Sequence, residues 1–410
     1  MTTTEPTSWD HPRHMMPLLP RITEAWSGKV ARLLQETARL DSALPGPTRR
    51  SLVPLLRLVN CYYSNLIEGH RTLPADIERA MDAARVGAKP QQQLACEAVA
   101  HLQVQELVEA QTTDPTWTPT DPTQLRWMHQ AFMERLPEDM RWAENAAKTT
   151  RVAIVPGELR TRHVQVGVHD PPAHAALPAF LQAFHQEYRQ HTIPSSEGIA
   201  RIAAAHQRFA WIHPFLDGNG RVGRLMTDAM FARAGLGCDG LWRITRGFAR
   251  RVGDYKGLLQ AADQPRAGDL DGRCNLTQQG LDDWCSFVVD TAIDQVMFMR
   301  GILSVERLPA RIQTWAAETY PATTAAQIGL LVERVIRYGS VDRSTAGHIL
   351  GVTERHARRI IDQLASARVI TAPPRGDLGP AFPISAVPRW FPDLFPLRED
   401  EGMRTPPHSA

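Results

Sequence analysis

Cysteine is scarce and scattered in this chain. Five thiols (Cys61, Cys96, Cys238, Cys274 and Cys285) occur in 410 residues, odd in number and without a C-x-x-C pair. That argues against a disulfide framework or a Cys-rich zinc site. No apolar run approaches the ~20 residues that span a bilayer. No charge of one sign dominates either, since 46 Lys+Arg stand against 44 Asp+Glu; a global field of the kind that marks nucleic-acid or membrane binders is missing, while local basic patches remain open. The first residues hold early acids and no apolar h-region, so they do not read as a secretory signal. Internal repeats and low-complexity tracts are lacking as well. These absences predict a reduced, soluble, cytoplasmic protein with no membrane partner. Apolar residues at 43% and charged residues at 22% match ordinary globular usage, and the length predicts roughly two to four domains.

The hydrophobic periodicity is mostly helical. Residues 1–20 are polar and punctuated by four prolines, which predicts an irregular lead. Helices are expected from Ile22 to about Leu40, from Ser51 to Ile67, over 75–110 with a break near Gly87–Pro90, and from Thr123 to Leu136. Residues 112–123 read as a linker. The period then changes: Arg151 to Val155 and Val164 to Val168 are short β-type runs, predicting a hairpin. Helical patterns resume over 175–190, 196–212, 222–234, 249–262 and 276–302. After about residue 320 three short helices follow, Ala325 to Tyr338, Asp342 to Leu350 and Thr353 to Ala367. Gly351-Val352-Thr353 is a plausible helix-turn-helix corner. The fold class expected is mainly α: a helical bundle with one β-hairpin and a C-terminal winged helix-turn-helix. The boundaries are 1–20 lead, 21–110 N-terminal helices, 111–320 core with the hairpin at 151–168, 321–393 winged-helix-like domain, and 394–410 disordered tail.

The densest stretch of chemistry runs from His213 to Arg224, His213-Pro214-Phe215-Leu216-Asp217-Gly218-Asn219-Gly220-Arg221-Val222-Gly223-Arg224. Gly218, Gly220 and Gly223 formally satisfy the dinucleotide fingerprint G-x-G-x-x-G, but that motif needs a preceding strand, and a helical pattern precedes it here. The stretch reads instead as an anion cradle at a helix start, where glycines let backbone approach a phosphate and the first-turn amides point at it. Arg221 and Arg224, three apart, share a helical face and can reach one polyphosphate. Asp217 is a hard oxygen ligand suited to Mg²⁺, and His213 is the natural base for a hydroxyl nucleophile. No P-loop motif occurs anywhere, so the pattern implies a phosphoryl- or nucleotidyl-transfer site of another kind.

His213 to Arg224 matches at every position the H-x-F-x-[DE]-G-N-G-R-x-x-R signature of the Fic family, and the chain resembles that family over about residues 50–320. Gly157 to Gly167 resembles the family's flap hairpin, which aligns a target segment by main-chain pairing. Phe248 to Tyr255 resembles the helix that closes the nucleotide pocket. The resemblance implies a protein adenylyltransferase that moves AMP from ATP to a Ser, Thr or Tyr hydroxyl. By that resemblance His213 is the base and Asp217 holds Mg²⁺. Gly218, Asn219 and Gly220 line the anion hole, Arg221 contacts phosphate, and Arg224 grips the γ-phosphate. Relatives that transfer a terminal phosphate depart from the G-N-G triplet, so its presence favours AMP transfer. Another nucleotide donor stays open, as does a non-enzymatic regulator in which the winged helix binds DNA and the nucleotide site only senses ligand.

A second constellation lies upstream. Ser64 and Glu68 are spaced i, i+4 in the last turn of a helix that Gly69 and Pro74 terminate. A carboxylate there is disfavoured by the helix dipole; alone, it reads as either an exposed Glu or one with a distant partner. The resemblance selects the second, because Ser64 to Gly69 matches the family's inhibitory motif [ST]-x-x-x-E-[GN], whose Glu pairs with the second arginine of the signature. It implies an inhibitory helix over 51–69, with Glu68 blocking Arg224 in cis, and it leaves removal of AMP open. In the C-terminal module the arginine-bearing segment from Thr353 to Ile361 suits DNA or protein equally. Beyond ATP and a target protein, homodimerisation stays open. His206 is expected to support its helix rather than bind metal. Arg246, Arg250 and Arg251 read as surface, and Tyr255 stacks on adenine by resemblance only.

Overall fold

The structure is a computed structural model, and it describes residues 9–85, 93–144, 149–189, 194–304 and 306–395. Its helices, in chain order, are α1 (Glu24–Asp41), α2 (Gly46–Ile67), α3 (Pro74–Arg85), α4 (Gln93–Gln111), α5 (Pro122–Glu134), α6 (Leu177–Tyr188), α7 (Ser196–Ile212), α8 (Asn219–Arg233), α9 (Thr245–Arg250), α10 (Val252–Ala262), α11 (Gln278–Ile302), α12 (Leu308–Thr319), α13 (Ala325–Tyr338), α14 (Arg343–Leu350), α15 (Glu354–Ser366) and α16 (Val387–Trp390). Two short antiparallel pairs complete it: β1 (Trp142–Glu144) with β2 (Arg151–Ala153), and β3 (Ile370–Thr371) with β4 (Gly379–Pro380). Among the described residues no helix is long and apolar enough to cross a membrane.

The centre of the bundle is α7. Its N-terminus is capped by Ser195, whose hydroxyl accepts from the Gly198 amide, and nearly every later residue is buried. The run Ala203-Ala204-Ala205 lets neighbours come close, so that the Trp284 indole N–H of α11 reaches the Ala203 carbonyl at 2.8 Å. Helices α6, α8, α10 and α11 pack around α7. The helices before and after residue 111 share one hydrophobic core, and Leu52, Val104, Leu125 and Phe209 belong to it alike.

Several expectations need correcting. The hairpin predicted over 151–168 does not join its two runs. Instead β2 pairs with the upstream β1, matching Trp142 with Ala153 and Glu144 with Arg151. Val164 to Val168 holds no strand, only a bridge from Val166 to His169 across Gly167 at φ +61. The reason is that the linking segment is claimed by the core: the Arg160 amide donates to the Pro214 carbonyl at 2.9 Å and its side chain is buried. The residues read as a linker form a packed turn with Trp117 buried, and Arg233 donates to the Asp114 and Pro115 carbonyls. The lead is not wholly irregular, since Pro12–Met15 forms a 3-10 turn, and it is bound to the bundle from Trp9 onward. Trp9 meets Trp211 edge-on at 5.8 Å, and the Pro17 carbonyl accepts from buried Arg208. Arg246 is buried, not a surface residue. The tail expected to be disordered lies, from residue 396 on, outside the described residues.

At the C-terminus, α13, α14 and α15 follow one another, with Gly351 at φ +64 turning the chain after α14. The β3–β4 pair comes next, extended by a Val341–Leu378 bridge. This part is docked on the rest at several points. The Thr48 hydroxyl donates to the Ile336 carbonyl at 2.7 Å, and the Tyr63 hydroxyl to the Leu394 carbonyl at 3.1 Å. Arg246 donates to the Asp393 carbonyl, and Arg368 pairs with Asp82 at 2.8 Å.

Candidate active site

The signature loop joins two helices, and its shape follows from three local features. α7 ends at His213, which adopts left-handed backbone (φ +49), and Pro214 prevents the helix from continuing. Asn219 then folds back, its side-chain amide accepting from the Phe215 N–H at 2.9 Å and donating to the Phe215 carbonyl at 2.8 Å. Gly218 takes φ +78 at the start of α8; a Cβ there would come within 2.9 Å of the Met133 side chain. Phe215 is fully buried and stacks on His129 at 4.0 Å, while the His129 Nδ1 accepts from the Gly157 amide. The loop is thus anchored from below, leaving the N-terminus of α8 facing a cavity.

That cavity measures about 510 Å³ and is lined by Glu68, His213, Asn219, Gly220, Arg224, Tyr255 and Lys256, together with Val166 to His169 and Asp263. A larger one, about 570 Å³, lies between α2, α3 and the C-terminal part and holds none of the signature residues. Burial drives the His213 imidazole down to about 4, despite a contact of its Nδ1 with the Ala210 carbonyl at 3.4 Å. The ring is therefore neutral at pH 7, a state in which it can accept a proton.

Arg224 is fully buried and fully engaged from one side. Its Nε donates to the Ser64 hydroxyl at 3.0 Å, and one terminal nitrogen donates to the Glu68 carboxylate at 2.6 Å and to the Ser64 carbonyl at 3.3 Å. Burial would raise the Glu68 pKa, but Arg224, with Arg221 and Lys256 further off, holds it below the usual carboxylate range. Arg224 in turn is pushed up: burial opposes its charge and Glu68 more than restores it. The helix-end carboxylate has its distant partner.

The remaining candidate residues are placed differently. Arg221 does not line the cavity. It is buried against α4, donating to Glu97 at 2.7 Å and lying over the Phe132 ring at 4.9 Å, with His70 closing the cluster at 2.5 Å from Glu97. Gly218 is buried at the start of α8, against Met133 and His129. Asp217 is exposed at the loop's outer edge, its carboxylate accepting from the Gly218 amide at 2.6 Å. Among the described residues no group of three or more His, Cys, Asp or Glu could hold a metal ion. A lone exposed carboxylate beside a helix N-terminus fits Mg²⁺ that takes its other ligands from phosphate and water.

Two contributors escaped the sequence reading. Arg160 clamps the loop, donating to the carbonyls of His213 at 2.9 Å, Pro172 at 2.5 Å and Arg162 at 3.2 Å; its place between two β-type runs gave no hint of burial. Glu97 fixes Arg221 from 124 residues away, a distance at which no spacing rule operates. His206 behaves as expected, its ring nitrogens bonded to Thr227 at 2.7 Å and to the Tyr255 hydroxyl at 2.9 Å.

The helical bundle thus presents a histidine-led loop and a glycine-rich helix start to one cavity. Residues 119–231, just over a quarter of the chain, match the model of the Fic/DOC family. The protein adenylyltransferase Fic of Drosophila erecta is 38% identical over 79 residues, 19% of this chain and 16% of that protein. The protein of that name from Drosophila willistoni matches to the same extent. The match thus spans about a sixth of these curated relatives. A crystal structure of a Fic family protein from Desulfovibrio desulfuricans G20 covers 88% of this chain and 97% of its own at a TM-score of 0.50 and 18% identity, a likeness of fold.

Proposed function

We propose that this protein transfers AMP from ATP to a Ser, Thr or Tyr hydroxyl of a target protein, and that Glu68 holds it inactive in cis. The observation that carries the reading is the convergence of a neutral His213 and a Glu68-bound Arg224 on one cavity. In the transfer, His213 takes the proton of the target hydroxyl, with Nδ1–H toward the Ala210 carbonyl and the Nε2 lone pair free. The hydroxyl oxygen bonds to the α-phosphorus in line with the breaking bond to the bridging oxygen, and pyrophosphate leaves. Gly220 and the first amides of α8 hold the phosphate oxygens by the positive end of the helix. Asp217 is the residue that would hold Mg²⁺, which supplies charge neutralisation on the phosphates. Arg221 supports this from behind, by fixing the first turn of α8 against Glu97, instead of touching phosphate.

The energies of the Arg224 contacts match what a brake requires. Of the two signature arginines Arg224 is the one that lines the cavity and can meet a terminal phosphate, and Glu68 with Ser64 occupies it. Keeping a closed state at about a hundredfold excess requires roughly 2.8 kcal/mol. A hydrogen bond to a charged group contributes about 1.5–3 kcal/mol. The Glu68 side chain keeps 33% of its surface exposed, which weakens the Coulomb attraction, so the Ser64 bonds are needed as well. The test is self-labelling from α-labelled ATP with Mg²⁺. Glu68→Gly is expected to label about a hundredfold faster than wild type, and Glu68→Gly with His213→Ala to lose label while still binding ATP. Equal, low labelling of wild type and Glu68→Gly would reject the brake; label surviving in the double variant would reject His213 as base.

A further inference from the structure

We propose that the C-terminal part of the chain binds double-stranded DNA through the outward face of α15 and the β3–β4 loop. This goes beyond the transferase reading and does not depend on it.

The geometry is that of two helices meeting at a tight corner. Asp342 caps α14 by accepting from the Thr345 amide at 2.9 Å, and Gly351 ends that helix in left-handed backbone. α15 buries Ala357, Ile360, Ile361 and Leu364. With those positions inward, Arg355, Arg358 and Arg359 fall on the opposite, exposed face. The loop between β3 and β4 carries exposed Arg375, and Arg343 at the start of α14 donates to the Pro373 carbonyl at 2.5 Å, tying that loop beside the corner. A helix presented after a tight turn, flanked by a loop that carries an exposed arginine, suits the major groove and its phosphates.

The charge pattern separates two groups of arginines. Residues 325–395 contain nine arginines and no lysine against six carboxylates, whereas the whole chain is near balance. Other exposed arginines are committed to ion pairs: Arg368 to Asp82, Arg389 to Glu318 and Arg337 to Glu333. Arg358 is held by Glu354 at 2.5 Å. Arg355, Arg359 and Arg375 have no ion pair among the described residues, and all three are exposed. A protein partner would want an apolar centre. The exposed large hydrophobic residues of this part are Leu330 and Tyr338, both on α13 and none on α15. Free guanidiniums without an apolar anchor match a polyphosphate duplex instead.

The test uses the full chain and a fluorescent 30-base-pair duplex of arbitrary sequence, with binding followed by anisotropy from 50 to 200 mM KCl. Three phosphate contacts predict an affinity about fortyfold weaker at the upper salt concentration. Replacing Arg355, Arg359 and Arg375 together by Gln is expected to weaken binding at least tenfold at 50 mM and to flatten the salt slope by roughly 2.7. These are exposed positions, and an unchanged thermal melt confirms that the variant is folded. Arg32→Gln, exposed on α1, serves as the control and should bind as wild type. No duplex binding at 50 mM salt, or binding that the triple variant retains with an unaltered slope, overturns the proposal. So does exclusive binding of a protein on this face.

Discussion

His213 is held in a backbone conformation that costs a non-glycine residue free energy, so its placement depends on what surrounds it. Its amide bonds to the Phe209 carbonyl, and its own carbonyl accepts from the Arg160 guanidinium. Arg160 also holds the carbonyls of Pro172 and Arg162, which makes one buried cation the fastener of three loop positions. Burial lowers the Arg160 pKa to about 10, still well above neutrality, so the clamp stays charged. In the Glu68→Gly background, Arg160→Ala is expected to slow transfer at least ~10-fold while ATP affinity changes by less than ~3-fold, since bonds to a charged group are worth about 1.5–3 kcal/mol each. Single-turnover labelling beside calorimetric ATP binding separates the two. A variant that loses both equally would show Arg160 to be structural only.

At the scale of elements, the proposed brake would draw on the whole of α2, not only on its last turn. Its start is fixed by Thr48 to α13 and its middle by Asn60, which donates to Gln105 at 3.1 Å. Near its end, Tyr63 hydroxyl bonds to the Leu394 carbonyl, one residue before Ser64. Arg246 braces the same place, stacked at 3.5 Å on Phe298 and donating to the Asp393 carbonyl. The C-terminal segment thereby holds the helix that carries Glu68. Tyr63→Phe removes one bond, about 1 kcal/mol, and is expected to raise self-labelling of the otherwise native protein by roughly fivefold. The same change in the Glu68→Gly background should have no effect, because no brake remains to loosen. A rise in both backgrounds would place the effect outside the brake.

For the molecule as a whole, the continuous core makes acid the natural denaturant. Burial pushes His101 and His206 down to about 3, and His129 and His213 down to about 4. Unfolded, each would titrate near 6.5, so the unfolded state binds more protons below that pH. Stability from these rings is complete above about pH 6.5 and is lost as pH falls toward their folded values. Asp228 and Asp263, raised by burial to about 6, act in the opposite sense below pH 6. Four rings against two carboxyl groups leave a net loss of roughly 3 kcal/mol per pH unit between pH 6 and 5, at about 1.4 kcal/mol per group. Urea unfolding at those two pH values checks it, and an unchanged midpoint would contradict the assignment of neutral buried rings.

Much of this protein was determined by local sequence. The chemistry from His213 to Arg224 is contiguous, so residue type and spacing alone specify a histidine, a glycine turn and a helix start. Helix positions followed from periodicity, and α13, α14 and α15 fell within a residue or two of their predicted bounds. Glu68 could be singled out because a carboxylate at a helix C-terminus conflicts with the dipole. Its pairing with Arg224, 156 residues away, followed from no local rule but only from the family resemblance, and it is the folded chain that brings the two to 2.6 Å. The same holds for Arg221, which spacing aims at phosphate but Glu97 draws into the core, and for Arg246, which composition places at the surface but Phe298 and Asp393 bury. Strand pairing was misassigned for the same reason. Hydrophobic alternation identifies β2, but which neighbour it meets depends on where Arg160 pins the following segment. Short-range backbone preferences are written residue by residue, whereas burial and charge pairing are decided by which distant surfaces close-pack, and that is a property of the folded chain.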